Sequence, residues 1–201
     1  MSEKSENWFT ENWWVIPVIL GVLYFVIKND RDDGEPFNLV KGIPDTPKGW
    51  VRQKSPTSSC TIACPKSWPK GESGLMGAVW VSQPYGDDGY VALRRIKRSK
   101  PSFDLSACSI PEFTSIAIPL ASTMIGLSVD RLEHDFEMDG KEAVWGRYTA
   151  TTVLGNRVYG FSAVTWSEGI LYMLHMEHTK RSAVSSRYNE LIKVARLVDL
   201  K

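Results

Sequence analysis

Three histidines and three cysteines are the side chains of this 201-residue chain best equipped for catalysis or metal binding. In the run Leu174-His175-Met176-Glu177-His178, an extended backbone puts His175 and Glu177 on one face and His178 on the other. His175 with Glu177 suits acid–base work or a small ligand near a pocket between sheet and helices. The same spacing does not build a two-histidine metal site. His134 lies in the alternating segment 131–139, beside Leu132, Phe136 and Met138, and reads as a satisfied core histidine. Glu133, Asp135, Glu137 and Asp139 take the opposite face, about 7 Å apart, too far to converge on a hard cation unaided. They read as the wet face of a strand whose charge guards an edge.

Cys60 and Cys64 flank Ile62 on one face of a short alternating run. On a strand they stand about 13 Å apart, and a disulfide needs Cα atoms within about 7 Å. They are expected to be buried thiols, not bridged to each other. Cys108 can pair with either, so a thiol redox protein using Cys60, Cys64 or Cys108 is an alternative. Arg94, Arg95, Lys97, Arg98 and Lys100 form a basic cluster without interleaved aromatics, which reads as a solvated strand end. No Gly-x-Ser-x-Gly, phosphate-cradling glycine loop or His-Glu-x-x-His occurs. Lys and Arg (24) nearly balance Asp and Glu (23), which removes any whole-chain argument for nucleic acid. No metal or cofactor is expected.

The elements that would carry these residues are clearest in the second half. Residues 143–152, 157–166 and 170–178 are rich in Val, Tyr, Trp, Phe and Thr. Gly155-Asn156 and Ser167-Glu168-Gly169 separate them, so they read as an antiparallel meander. From Ser182 the apolar positions Val184, Tyr188, Leu191, Ile192 and Ala195 have helical spacing, and residues 197–200 can add a closing strand. Upstream, 78–83 and 90–97 read as a hairpin across Asp87-Asp88-Gly89. Residues 110–127 read as a helix that Pro119 must kink or break. Sheet followed by a covering helix is an α+β design.

Residues 13–27 hold no charge and read as a transmembrane anchor after a tail of residues 1–12. Trp8, Trp13, Trp14 and Tyr24 suit the two membrane boundaries. Lys28-Asn29-Asp30-Arg31 follows where a cleavage site would stand, which argues against a signal peptide. Residues 28–54 read as a Pro- and Gly-containing tether, and 55–201 as the domain. The expected placement is a single-pass protein of the inner (cell) membrane, with the domain outside the cytoplasm.

Cys60-Thr61-Ile62-Ala63-Cys64-Pro65-Lys66-Ser67-Trp68 resembles the opening strand and Pro-x-x-Trp of the PsbP/DcrB-like superfamily. Asp139-Gly140-Lys141-Glu142-Ala143 with Gly146-Arg147-Tyr148 resembles its later hairpin. The likeness covers roughly residues 50–201. It implies an antiparallel sheet packed against helices, no shared enzymatic activity, and members that mostly bind proteins. The expectation is therefore a membrane-anchored, non-catalytic protein-binding domain: a subunit, chaperone or immunity-type factor of an envelope assembly. Its partners are the bilayer, through 13–27, and a protein of unknown identity. Trp145, Tyr159, Phe161, Trp166 and Tyr172 are the candidate partner surface where they are exposed, and core where they are not.

Overall fold

The computed structural model of the chain describes residues 46–74, 77–86, 88–98 and 103–200. The expected anchor and the tether up to residue 45 lie outside them. Among the described residues, no helix is long and apolar enough to cross a membrane.

Among the described residues, nine strands and two α-helices run in the order β1 (Trp50–Lys54), β2 (Thr61–Pro65), β3 (Ala78–Ser82), β4 (Gly89–Lys97), α1 (Ile110–Ala117), β5 (Ile125–Met138), β6 (Lys141–Thr151), β7 (Arg157–Ser167), β8 (Ile170–His178), α2 (Arg181–Arg196) and β9 (Val198–Asp199). Six strands form one antiparallel sheet in the order β3-β4-β8-β7-β6-β5, and β1-β2-β9 form a second. This is the expected α+β arrangement of antiparallel sheet packed with helices.

The large sheet has two buried faces. One packs Phe136, Trp145, Phe161, Leu174 and Met176 against the second sheet and against Val184, Leu191 and Val194 of α2. The other packs Val144, Tyr148, Val164, Leu171 and Met173 against Phe113 and Ile116 of α1. Gly146 makes the second contact possible: a Cβ there would meet the Phe113 ring at 2.8 Å. A sheet buried on both faces explains why β6, β7 and β8 are apolar nearly throughout.

The meander and α2 fall where the sequence places them. Three segments differ. Trp50–Lys54 is a strand inside the expected tether, and its polar Arg52 and Gln53 are buried. Gln53 replaces an apolar core residue by bonding. Its Oε1 accepts from the Gly71 N–H (2.7 Å) and Trp80 Nε1 (3.1 Å), and its Nε2 donates to Pro69 O (3.1 Å). The helix expected over 110–127 does break at Pro119: α1 stops at Ala117, Leu120 turns left-handed at φ 58° and a single 3-10 turn follows at Ala121–Thr123, but residues 125–127 belong to β5. β5 then starts at Ile125, six residues before the alternating run begins. A register shift between Glu133 and Phe136 breaks the single face expected for 131–139. Leu132 packs on the α1 side, while Phe136 and Met138 join the opposite core.

Candidate functional site

Strand register builds one polar cluster in the α1-side face of the large sheet. Tyr148 on β6 lies opposite Gly160 on β7, which lies opposite Glu177 on β8, which lies opposite Tyr90 on β4. In the next row inward, Gly146, Ser162, His175 and Ala92 stand side by side. Each row crosses the sheet perpendicular to the strands, so its side chains share a face. His175 and Glu177 do share that face, and His178 does not, as alternation requires.

The hydroxyl of Tyr148 donates to Glu177 Oε1 at 2.6 Å, and that of Tyr90 donates to Oε2 at 3.2 Å. His175 Nε2 lies 3.4 Å from both Glu177 Oε1 and the Tyr148 oxygen. Since Tyr148 directs its proton to Glu177, the imidazole Nε2–H is the donor at these contacts. His175 is fully buried, with the Tyr148 ring stacked on it at 6.1 Å between centroids and the Tyr90 ring at 5.8 Å. Burial lowers the His175 pKa against the opposing pull of Glu177, so the ring is neutral at pH 7. Burial pushes the Glu177 carboxyl up, but the imidazole of His175 and the hydroxyls of Tyr148 and Tyr90 outweigh it and hold the group at about 2. Burial likewise raises Tyr148 well above an ordinary phenol and Tyr90 to about 12, with Glu177 adding to both.

Ser162 Oγ and His175 Nδ1 are buried and have no hydrogen-bond partner among the described residues. The two residues are direct cross-strand neighbours. Ser162, His175 and Glu177 thus stand in the order of a hydrolase triad, but both Ser162 and His175 have 0% exposure. A nucleophile must meet substrate, and this hydroxyl is sealed inside the sheet face. What the geometry provides is a Glu carboxylate saturated by three neighbours and locked in a structural network.

The other expected sites resolve plainly. His134 is half-buried, its Nε2 2.8 Å from the Cys108 carbonyl. His178 is buried on the opposite face and accepts from the Lys180 N–H at 2.8 Å. Glu133 pairs with Arg131 (2.9 Å) and Asp139 with Lys141 (2.8 Å). Among the described residues, no group of three His, Cys, Asp or Glu can hold a metal. Cys60, Cys64 and Cys108 are free and buried. Burial pushes the Cys64 thiol up to about 12, and burial with Glu112 nearby pushes Cys108 to about 11, the reverse of a reactive thiol.

Of the aromatic candidates, Trp145, Phe161 and Tyr172 are core, at 5%, 0% and 5% exposure. Trp145 stacks on Phe161 and meets the edge of Tyr188, and Tyr172 donates to the Leu200 carbonyl. Only Tyr159 and Trp166 of that set are partly exposed. The basic run hid one residue of the polar cluster: Arg94 is 7% exposed on β4, where a solvated strand end was expected. Its position, two residues from Ala92 on the same strand face, was the available signal.

No protein-family model and no curated protein sequence matches the chain. Its fold is that of the PsbP/Mog1-like proteins. The solution structure of cyanobacterial PsbP (CyanoP) from Synechocystis sp. PCC 6803 matches with TM-score 0.52 at 12% identity, over 81% of this chain and 99% of that one. The Ran-binding protein Mog1p of Saccharomyces cerevisiae matches with TM-score 0.53 at 7% identity, over 75% and 95%.

Proposed function

We propose that the chain is a membrane-tethered, non-catalytic protein-binding domain, a subunit, chaperone or immunity-type factor of an envelope assembly. The observation that supports it best is the polar cluster: among the described residues, Ser162 and His175 are buried at 0% exposure and the Glu177 carboxylate beside them is held by three neighbours. The fold leans the same way only by analogy, since the similar Mog1p is a Ran-binding protein. The partner surface falls to Tyr159 and Trp166, seven residues apart on β7 and therefore about 23 Å apart along it. They are separate surfaces and are tested separately. Near the Trp166 end, an open groove of about 430 Å³ between the β5–β6 turn and the end of α2 presents Asp135, Glu137 and Arg196.

The test is co-purification of the full chain from mild detergent extracts after cross-linking. A specific partner is expected to survive His175→Gln and to be lost with Trp166→Ala or Tyr159→Ala. Loss only with His175→Gln would defeat the reading.

One observation favours a second reading, an enzyme or small-ligand carrier using His175 and Glu177. Ser162 and His175 each bury an unpartnered polar atom side by side, which a substrate group would satisfy if the face opened. Covalent labelling of Ser162 by a fluorophosphonate in the native protein would support that reading, and its absence would remove it.

A further inference from the structure

The end of the domain where β6 turns into β7 carries a different signal. The Thr152 N–H donates to Asn156 O at 2.9 Å, Gly155 N–H to Thr152 O at 2.9 Å, and Asn156 N–H to Thr152 Oγ1 at 3.3 Å. This tight turn puts Val153 and Leu154 at its apex. Turn apices favour Gly, Pro, Asn, Asp and Ser, which supply the backbone geometry or a local hydrogen bond. Here a β-branched residue and a leucine occupy the apex, 70% and 83% exposed. Ile125, opposite Thr151 in the register, is 64% exposed. Three large apolar side chains in water stabilise nothing in the domain itself, so this end is built to meet something apolar.

Charge selects what it meets. Residues 143–167 contain no Asp or Glu, and Arg157 directly follows the turn. Lys180 and Arg181 open α2 at the same end, Arg181 sharing a recess with Tyr159, Arg147 and Asp130, the last tied to Arg147 at 3.2 Å. The α2 N-terminus adds partial positive charge. Asp88, also at this end, is tied to Lys180 at 3.0 Å. The acidic groups Glu133, Asp135, Glu137, Asp139, Glu142 and Glu168 lie toward the opposite end of the same strands. An apolar apex beside Arg157, Lys180 and Arg181, with Asp88 tied to Lys180, Asp130 to Arg147 and Glu177 to Tyr148 and Tyr90, matches an anionic lipid surface. A protein interface needs about 800 Å² on each side, whereas this apex is a convex two-residue tip. Residues 28–45, 18 in all, separate the apolar run from the first described residue. Fully extended they reach at most about 60 Å, enough for this end to touch a bilayer that holds the run.

We propose that this end of the domain docks on an anionic membrane surface, with Val153 and Leu154 entering the acyl boundary and Arg157, Lys180 and Arg181 on the headgroups. The inference deepens the membrane-tether reading and rests on it. The full chain carrying an environment-sensitive fluorophore at Leu154→Cys is reconstituted in phosphatidylglycerol/phosphatidylcholine vesicles with doxyl-labelled lipid. The control label is Glu137→Cys at the acidic end of β5. Buried Cys60, Cys64 and Cys108 stay unlabelled, and Val153→Cys gives a second reporter should the first disturb folding. Quenching is expected at 154 and 153 and not at 137, with the Arg157→Gln/Arg181→Gln double variant weakening the docking equilibrium about thirtyfold. An unquenched 154 and 153, or equal quenching at 137, would overturn the proposal. Carbonate extraction of the same vesicles separates the two ideas. A chain that resists extraction with an unquenched tip loses only the docking proposal; a chain that is extracted loses the tether.

Discussion

Tyr148 reaches across Gly160 to place its hydroxyl 2.6 Å from Glu177, two strands away. The crossing needs a residue without a side chain beneath it, because a Cβ on Gly160 would stand 2.1 Å from Tyr148 Cζ. Gly160→Ala is therefore expected to destabilise the domain by about 1–3 kcal/mol through overpacking. Tyr148→Phe, which keeps the ring and removes a donor from a largely buried carboxylate, is expected to cost about as much. Urea unfolding of the two variants checks both, and a neutral Gly160→Ala would mean the ring does not lie there.

That crossing also marks what the sequence could and could not show. Alternation was enough to put His175 and Glu177 on one face, and the turn residues were enough to find the meander around them. The partner of Glu177 came from Tyr148, 29 residues earlier, through register that no local pattern carries. Arg94 looked like part of an exposed basic run because its burial depends on β8 lying beside it. β1 carries no apolar pattern because hydrogen bonds, not apolar side chains, bury its Gln53. The bulge in β5 turned an apparently single apolar face into two, since an extra residue in one strand leaves the periodicity of the sequence unchanged.

Acid should weaken the domain in two stages. The folded pKa of His175 is lowered from 6.5, so its neutral form stabilises the fold above that value. As pH falls below about 6.5, the unfolded chain takes up a proton that the folded chain refuses, and stability drops. Glu177 is held at about 2 against 4.5 unfolded, so its contribution is complete above 4.5 and is lost as pH falls toward 2. Urea midpoints measured from pH 8 to pH 3 are expected to decline below 6.5. His175→Gln should flatten the upper part of that decline, and an unchanged profile in the variant would show that another group carries it.

The thiols are expected to be inert in the folded protein. Cys60, Cys64 and Cys108 should resist alkylation at pH 8 and all react in denaturant, given their burial and the raised Cys64 and Cys108. Mass spectrometry of a non-reduced digest should find no bridge between Cys60 and Cys64. A bridge there would be incompatible with β2 as a strand and would revive the redox alternative.

Residues 13–27 are expected to hold the full-length protein in the membrane pellet at alkaline pH, uncleaved. Protease applied to sealed and opened vesicles should reach the domain from the extracytoplasmic side. A mature N-terminus beyond Ile27 would end the anchor proposal.

The claim that the domain acts by binding, with its polar cluster as structure, is tested most directly by complementation in cells. Ser162→Ala, His175→Gln and Glu177→Gln would be scored beside Trp166→Ala and Tyr159→Ala, each at matched levels of folded protein. The expected result is that the three cluster variants restore function and at least one aromatic variant does not. Loss of function in the cluster variants alone, with folding intact and no partner captured, would contradict it.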